Sequence, residues 1–222
     1  MSIPFRAIVF DFDGLIVDSE QPIYEAYRTL FAELGATLPL SVWQDVIGSS
    51  TANAAAFVHL ENSIGRKVDR EAMRQQARAI RGEGTLTLPP REGVAELISE
   101  AKQAGLTLAV ASSSTFAWVN GHLDRLGLLS SFDALCTRED VEETKPHPAL
   151  YQLALERLGM APHEAFAIED SPNGVTAAKS AGLRCVAAPN PITAGMDLRH
   201  ADHVLPSLAG VSLAQVVAGL VG

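Results

Sequence analysis

The chain has 222 residues, 47% of them hydrophobic, and its 26 acidic against 17 basic side chains give a formal net charge of −9. That length can bury a substantial core in one domain carrying an insertion, while the negative field disfavours nucleic acid and acidic membranes, with no dense Lys/Arg tract to offset it. No apolar run approaches the roughly 20 residues of a membrane span, and residues 1–6 lack the basic and apolar regions of a signal peptide, so a soluble cytoplasmic protein is expected.

In chain order, short apolar runs at residues 7–10, 107–111, 134–136, 165–168 and 184–187 have the length and bounds of buried strands. Helical patterns at 94–104, 116–126, 149–158 and 174–181 alternate with them, each closing near a glycine. Alternation of this kind predicts a doubly wound parallel α/β sheet. The rhythm breaks between the first two runs. Residues 16–87 hold helical stretches at 21–34, 41–46, 51–63 and 69–81, divided by Gly35, Gly48, Gly65 and Gly82-Glu83-Gly84, and show no buried strand. The expected organisation is therefore a core of residues 1–15 and 88–222 with a helical unit of residues 16–87 inserted, its exit hinged near Pro89-Pro90. Cys136 and Cys185 lie in apolar stretches and read as unpaired buried thiols. Trp43 and Trp118 read as packing residues.

Phe10-Asp11-Phe12-Asp13-Gly14 follows the first apolar run. Ligands of open parallel sheets bind at the carboxyl ends of the strands, and alternation along an extended chain lets Asp11 and Asp13 face the same side. Two close carboxylates attract a hard cation, and magnesium could hold a substrate phosphate against one of them. Downstream, Ala111-Ser112-Ser113-Ser114 ends the second run, Thr144-Lys145-Pro146-His147-Pro148 precedes a helix, and Ile168-Glu169-Asp170-Ser171-Pro172 ends the fourth run.

Four motifs in this order resemble those of the haloacid dehalogenase superfamily, and the helical insertion with Lys-Pro-x-Pro is similar to its beta-phosphoglucomutase-like and phosphatase branch. The resemblance implies a Rossmann-like core with an all-helical cap and a magnesium-dependent phosphatase acting on a small phosphomonoester, such as a sugar phosphate. It makes Asp11 the nucleophile and Asp13 the general acid and base. Ser112 and Lys145 would bind phosphate, helped by Ser113, and Asp11, Asp13, Asp170 and Glu169 would surround Mg2+. His147 reads as a loop residue, and Ala149 stands where the family pattern often has a supporting Asp.

Asp13 argues against a dehalogenase, and a mutase reading is weakened because residues 48–53, where mutases of this branch carry an Arg, have neither Arg nor Lys. A phospho-accepting signalling domain would place its acids in the reverse order and lack the insertion. Glu20 is a candidate substrate contact or a helix-start acid. Arg66, Lys67, Arg70, Arg74, Arg78 and Arg81 read mostly as a solvated helix face, with one or two available to an anionic substrate.

Overall fold

The computed structural model describes residues 3–45, 47 and 54–221. Its sheet contains β1 (Ala7–Phe10), β2 (Thr107–Ala111), β3 (Ala134–Cys136), β4 (Ala165–Glu169), β5 (Arg184–Ala187) and β6 (His203–Val204), in the order β3-β2-β1-β4-β5-β6. Every neighbouring pair is parallel. β1 and β4 are buried along their whole length, which is why they read as continuous apolar runs rather than alternating ones. The chain winds outward from β1 to β3, then returns to β4 on the other side of β1. This reversal opens a crevice beyond the carboxyl ends of β1 and β4.

Four helices are described within residues 16–87: α1 (Glu20–Glu33), α2 (Leu40–Gln44), α3 (Ala54–Ile64) and α4 (Arg70–Arg81). The later ones are α5 (Val94–Gln103), α6 (Phe116–Arg125), α7 (Ala149–Leu158), α8 (Pro172–Ser180) and α9 (Leu213–Val221). Alternation along β1 sends Ile8 and Phe10 into a cluster with α5, α6 and α9, while Ala7 and Val9 enter another with α7 and α8. The second face is built largely of alanine, including Ala109, Ala111, Ala165 and Ala167 from the sheet and Ala154, Ala177 and Ala178 from the helices. Both cysteines lie on this face as buried free thiols, and desolvation pushes Cys136 up to about 11. No described helix is long and apolar enough to cross a membrane.

The first four helices pack on one another through a separate apolar cluster that includes Tyr27, Phe31, Trp43, Phe57 and Leu60. The Tyr27 ring lies 5.1 Å from Trp43 and 5.9 Å from Phe57. Part of the basic series of α4 works here. Arg70 and Lys67 both donate to Glu61, whose carboxylate they hold down at about 2, and the Arg70 and Arg74 guanidinium groups lie 5.6 and 5.2 Å from the Phe57 ring centre. Where the chain leaves and re-enters the sheet, Val17 bridges to both Asp13 and Pro90, so the two crossing strands of backbone run side by side.

Two local details depart from the sequence expectation. α8 starts at Pro172 rather than 174, because the Ser171 hydroxyl caps it by accepting from the Gly174 N–H at 3.2 Å and proline suits the first helical turn. β6 and α9 went unassigned, although Leu213, Val216, Val217 and Leu220 have the spacing of a buried helix face. The expected helix over 51–63 is described from Ala54, and residues 51–53 lie outside the described ones. Phe57→Ala should empty the centre of the helical cluster and cost about 3–5 kcal/mol, measured by denaturant unfolding.

Candidate active site

Asp11 leaves β1 directly, its N–H bonded to the Ile168 carbonyl of β4 at 3.0 Å, so the register of two central strands sets where its carboxylate begins. Glu169 ends β4 and Asp170 follows it. Lys145 reaches the same point from the loop before α7; its ammonium donates to Asp11 Oδ1 and, at 2.6 Å, to Glu169 Oε1, and all four side chains are buried. One carboxylate oxygen from each of Asp11, Glu169 and Asp170 lies within 4.8 Å of the other two.

Three buried carboxylates around one ammonium leave a surplus of negative charge in a poorly solvated place. Burial and the Glu169 charge push Asp11 up to about 8 against the pull of Lys145. Burial and the Asp11 charge likewise raise Asp170 well above the usual carboxylate range. Hard oxygen donors with uncompensated charge suit a divalent cation such as magnesium. The carboxylates are not equivalent as donors. Glu169 accepts from Lys145, from the Tyr151 hydroxyl at 2.6 Å, and from the Asp170 N–H and Ser171 hydroxyl at 3.1 and 3.4 Å. It is foremost the anchor of Lys145, whereas Asp11 and Asp170 have freer oxygens.

Two glycines make this crowding possible. Gly14 has φ +83°, and a Cβ there would stand 2.3 Å from Asp170 Oδ2; at Gly174 it would stand 1.9 Å from the Glu169 carboxylate. Two residues absent from the sequence expectation orient the acids. Asn190 donates to Asp170 Oδ2 at 2.7 Å, while its own carbonyl accepts from the backbone of Ile192 and Thr193. Arg91 donates to the carbonyls of Gly14, Ala188 and Pro189 at 2.6, 3.0 and 2.7 Å, tying the turn after β1 to the loop after β5. Neither residue sits in a recognisable motif, so only the fold reveals them.

Asp13 stands apart from this cluster and is held by neutral donors. Ser19 and the Trp118 indole N–H reach Oδ1 at 2.7 and 2.9 Å, and Ser114 reaches Oδ2 at 2.6 Å with Ser112 farther off at 3.5 Å. Ser19 occupies the N-cap position of α1 without capping it; its hydroxyl is diverted to Asp13. Trp118 is thus more than the packing residue expected, and Ser114 joins the site that had been expected to involve only Ser112 and Ser113. The Ser113 hydroxyl is buried with no hydrogen-bond partner.

Asp11, Asp13, Lys145, Asp170 and the three serines line one cleft of about 550 Å³ between the core and the helices of the insertion, a volume suited to a small metabolite. Glu20, Arg78 and Arg81 line it from the insertion side. This resolves the basic series: Arg78 and Arg81 face the cleft, and Arg70, Lys67 and Arg74 pair with acids of the insertion. Residues 48–53, the stretch expected to lack the mutase arginine, lie outside the described ones except as sequence. The insertion meets the core through Gln44, which donates to the Ile192 carbonyl at 2.7 Å, and through Asn173, which donates to that of Ile47 at 2.9 Å.

Burial and the nearby Asp13 and Asp18 charges raise Glu20 from 4.5 to about 7. The folded chain therefore holds this proton more tightly than the unfolded one, and stability falls as pH rises through the interval from 4.5 to about 7. In Glu20→Gln that decline should shrink, as read by thermal midpoints across the interval. Asn190→Ala should free Asp170 and weaken any divalent-cation binding at the three acids on the order of 10- to 100-fold, measured by calorimetric titration with magnesium.

The family model described as haloacid dehalogenase-like hydrolase matches residues 8–188. The Bacillus subtilis (strain 168) protein YhcW, described as a candidate phosphatase, is 44% identical over 209 residues, covering 94% of each chain. Hexitol phosphatase B of Escherichia coli (strain K12) is 33% identical over 196 residues, 86% of this chain and 87% of its own. Among solved structures, a mutant of CbbY from Rhodobacter sphaeroides in complex with xylulose-(1,5)bisphosphate superposes with a TM-score of 0.72 at 31% identity, over 95% of this chain and 98% of that one. A family model spanning most of the chain, over a sheet edge that gathers the expected acids, lysine and serine, means that this chain belongs to the haloacid dehalogenase-like hydrolases.

Proposed function

We propose that the chain is a magnesium-dependent phosphatase that hydrolyses a small phosphomonoester, a sugar phosphate or related metabolite, through a phosphorylated Asp11. The observation that carries the reading is the placement, in one cleft, of a buried Asp11 paired with Lys145 and of an Asp13 outside that ion pair. Relatives described as a candidate phosphatase and a hexitol phosphatase, and a structural neighbour described with a sugar bisphosphate, support the substrate class.

Asp11 attacks phosphorus, and the bond to the leaving oxygen breaks as Asp13 gives that oxygen its proton. Asp13, now a carboxylate, then takes a proton from water, whose oxygen displaces Asp11 and releases inorganic phosphate. Lys145 balances charge on the phosphoryl oxygens, and the hydroxyls of Ser112 and Ser113 donate to them; the unpartnered Ser113 hydroxyl supports that role. Asp11, Asp170, the Asp13 carbonyl and, within reach, Glu169 would hold the magnesium. When bound, the metal neutralises the surplus charge of the acids, keeps Asp11 ionised and draws the phosphate towards it.

Residues 16–87 act as a cap on the core of residues 1–15 and 88–222, excluding water and selecting the substrate, with Glu20 as a substrate contact. Phosphate release should be measured from glucose 6-phosphate, sorbitol 6-phosphate, β-glucose 1-phosphate and xylulose 1,5-bisphosphate, with magnesium and with chelator. Release from at least one, lost with chelator and reduced on the order of 10³-fold or more in Asp11→Asn, is expected. Isomerisation of the sugar 1-phosphate without net release would make the protein a mutase, and full activity of Asp11→Asn would remove the nucleophile.

A further inference from the structure

Of the four groups around Asp13, three are serine hydroxyls, which can turn and either donate or accept. The Trp118 indole can only donate. At 2.9 Å its N–H commits Asp13 Oδ1 to accepting, so the oxygen left to carry a transferable proton is Oδ2, on the side of Ser112 and Ser114. Ser112 belongs to the strand end where phosphate is proposed to sit, so the proton is held on the side where it is needed.

The indole is itself gripped from two sides. The His122 ring of the core meets it edge-on at 4.2 Å between centroids. From the insertion, the Arg81 guanidinium at the end of α4 lies 5.8 Å from its ring centre, within the range of a cation–π contact. Arg81 is half-buried and its Nε has no hydrogen-bond partner; besides the ring face, it interacts electrostatically with Asp13 and Glu20.

We infer that Trp118 is a positioning residue that fixes the orientation of Asp13 for proton transfer to the leaving group, and that Arg81 makes this orientation depend on the helical insertion being seated against the core. The inference rests on the general-acid role proposed above for Asp13. It gives the insertion a task besides excluding water. With the insertion displaced, the ring keeps its His122 contact but loses its cation, so Asp13 is held in alignment less firmly when the cleft is open.

Kinetics with two aryl esters of similar size separate orientation from bulk structure. Phenyl phosphate has a basic leaving group that needs a proton, and p-nitrophenyl phosphate has one that does not. The value of kcat/KM reports phosphoryl transfer to the enzyme and is blind to the later hydrolysis. Trp118→Phe keeps an aromatic face in a smaller ring and removes the N–H; it should lose about tenfold more kcat/KM on phenyl phosphate than on p-nitrophenyl phosphate, a fraction of what a positioned acid contributes. Arg81→Gln should show the same bias to a smaller degree, and adding it to Trp118→Phe should deepen the bias by less than the product of the two.

Asp13→Asn sets the full size of the bias. If it shows the bias and Trp118→Phe loses equally on both esters, or not at all, the positioning role is overturned while the acid assignment stands. If Asp13→Asn shows none, the acid assignment fails and the inference with it. An Arg81→Gln effect confined to KM would remove the link to the insertion. The p-nitrophenyl ester serves as the control for folding, since a misfolded variant loses both rates together.

Discussion

Placing an ammonium and three carboxylates out of water at the end of a parallel sheet is the constraint around which the rest of this molecule is arranged. Lys145 donates to both Asp11 and Glu169, and Asp170 sits alongside, bonded to Asn190 rather than to a cation among the described residues. Desolvation alone would drive protons onto these acids, and the raised Asp11 and Asp170 show that pressure directly. The fold answers with polar partners: Tyr151 and Ser171 on Glu169, Asn190 on Asp170. What remains is negative charge that a divalent cation would balance.

The same need explains features that look unrelated in sequence. Gly14 and Gly174 leave room where any side chain would strike a carboxylate. Arg91, just after the insertion returns to the core, gathers carbonyls from the turns after β1 and β5 and so holds the two edges of the crevice together. Asp13 is kept in different company, bonded to hydroxyls and an indole N–H rather than to a cation. Two aspartates separated by one residue thereby receive distinct surroundings, which is what a nucleophile and a proton donor require of neighbouring carboxyl groups.

The insertion has its own apolar cluster and touches the core through few polar contacts, Gln44 to the Ile192 carbonyl and Asn173 to that of Ile47 among them. Ile192 nonetheless inserts from the core into that cluster. Such a junction holds the helices over the cleft without fusing the two cores. Glu20, Arg78 and Arg81 are carried to the cleft by this seating, so strand ends line one side of it and helices of the insertion the other.

Much of this was legible in the linear chain. Buried strands in a parallel sheet must be apolar on both faces, so four-residue runs such as Ala-Ile-Val-Phe announce themselves, and the residue after each run falls at the reactive edge. Position places Asp11 there, while Ser112, Lys145 and Asp170 are singled out only by the resemblance of the four ordered motifs; the structure gathers all four in one cleft. β6 escaped because it has two residues and carries no periodic pattern, whereas α9 does have the spacing of a buried helix face. Other contacts had no sequence signal at all. Trp118 reaches Asp13 across 105 residues and Asn190 reaches Asp170 across 20, and nothing in the spacing distinguishes an indole that fills a core from one that donates to a carboxylate. Local pattern determined the elements and the order of the motifs, because backbone hydrogen bonding and burial act over a few residues; which polar side chains share a buried site was decided only by the packing of distant turns.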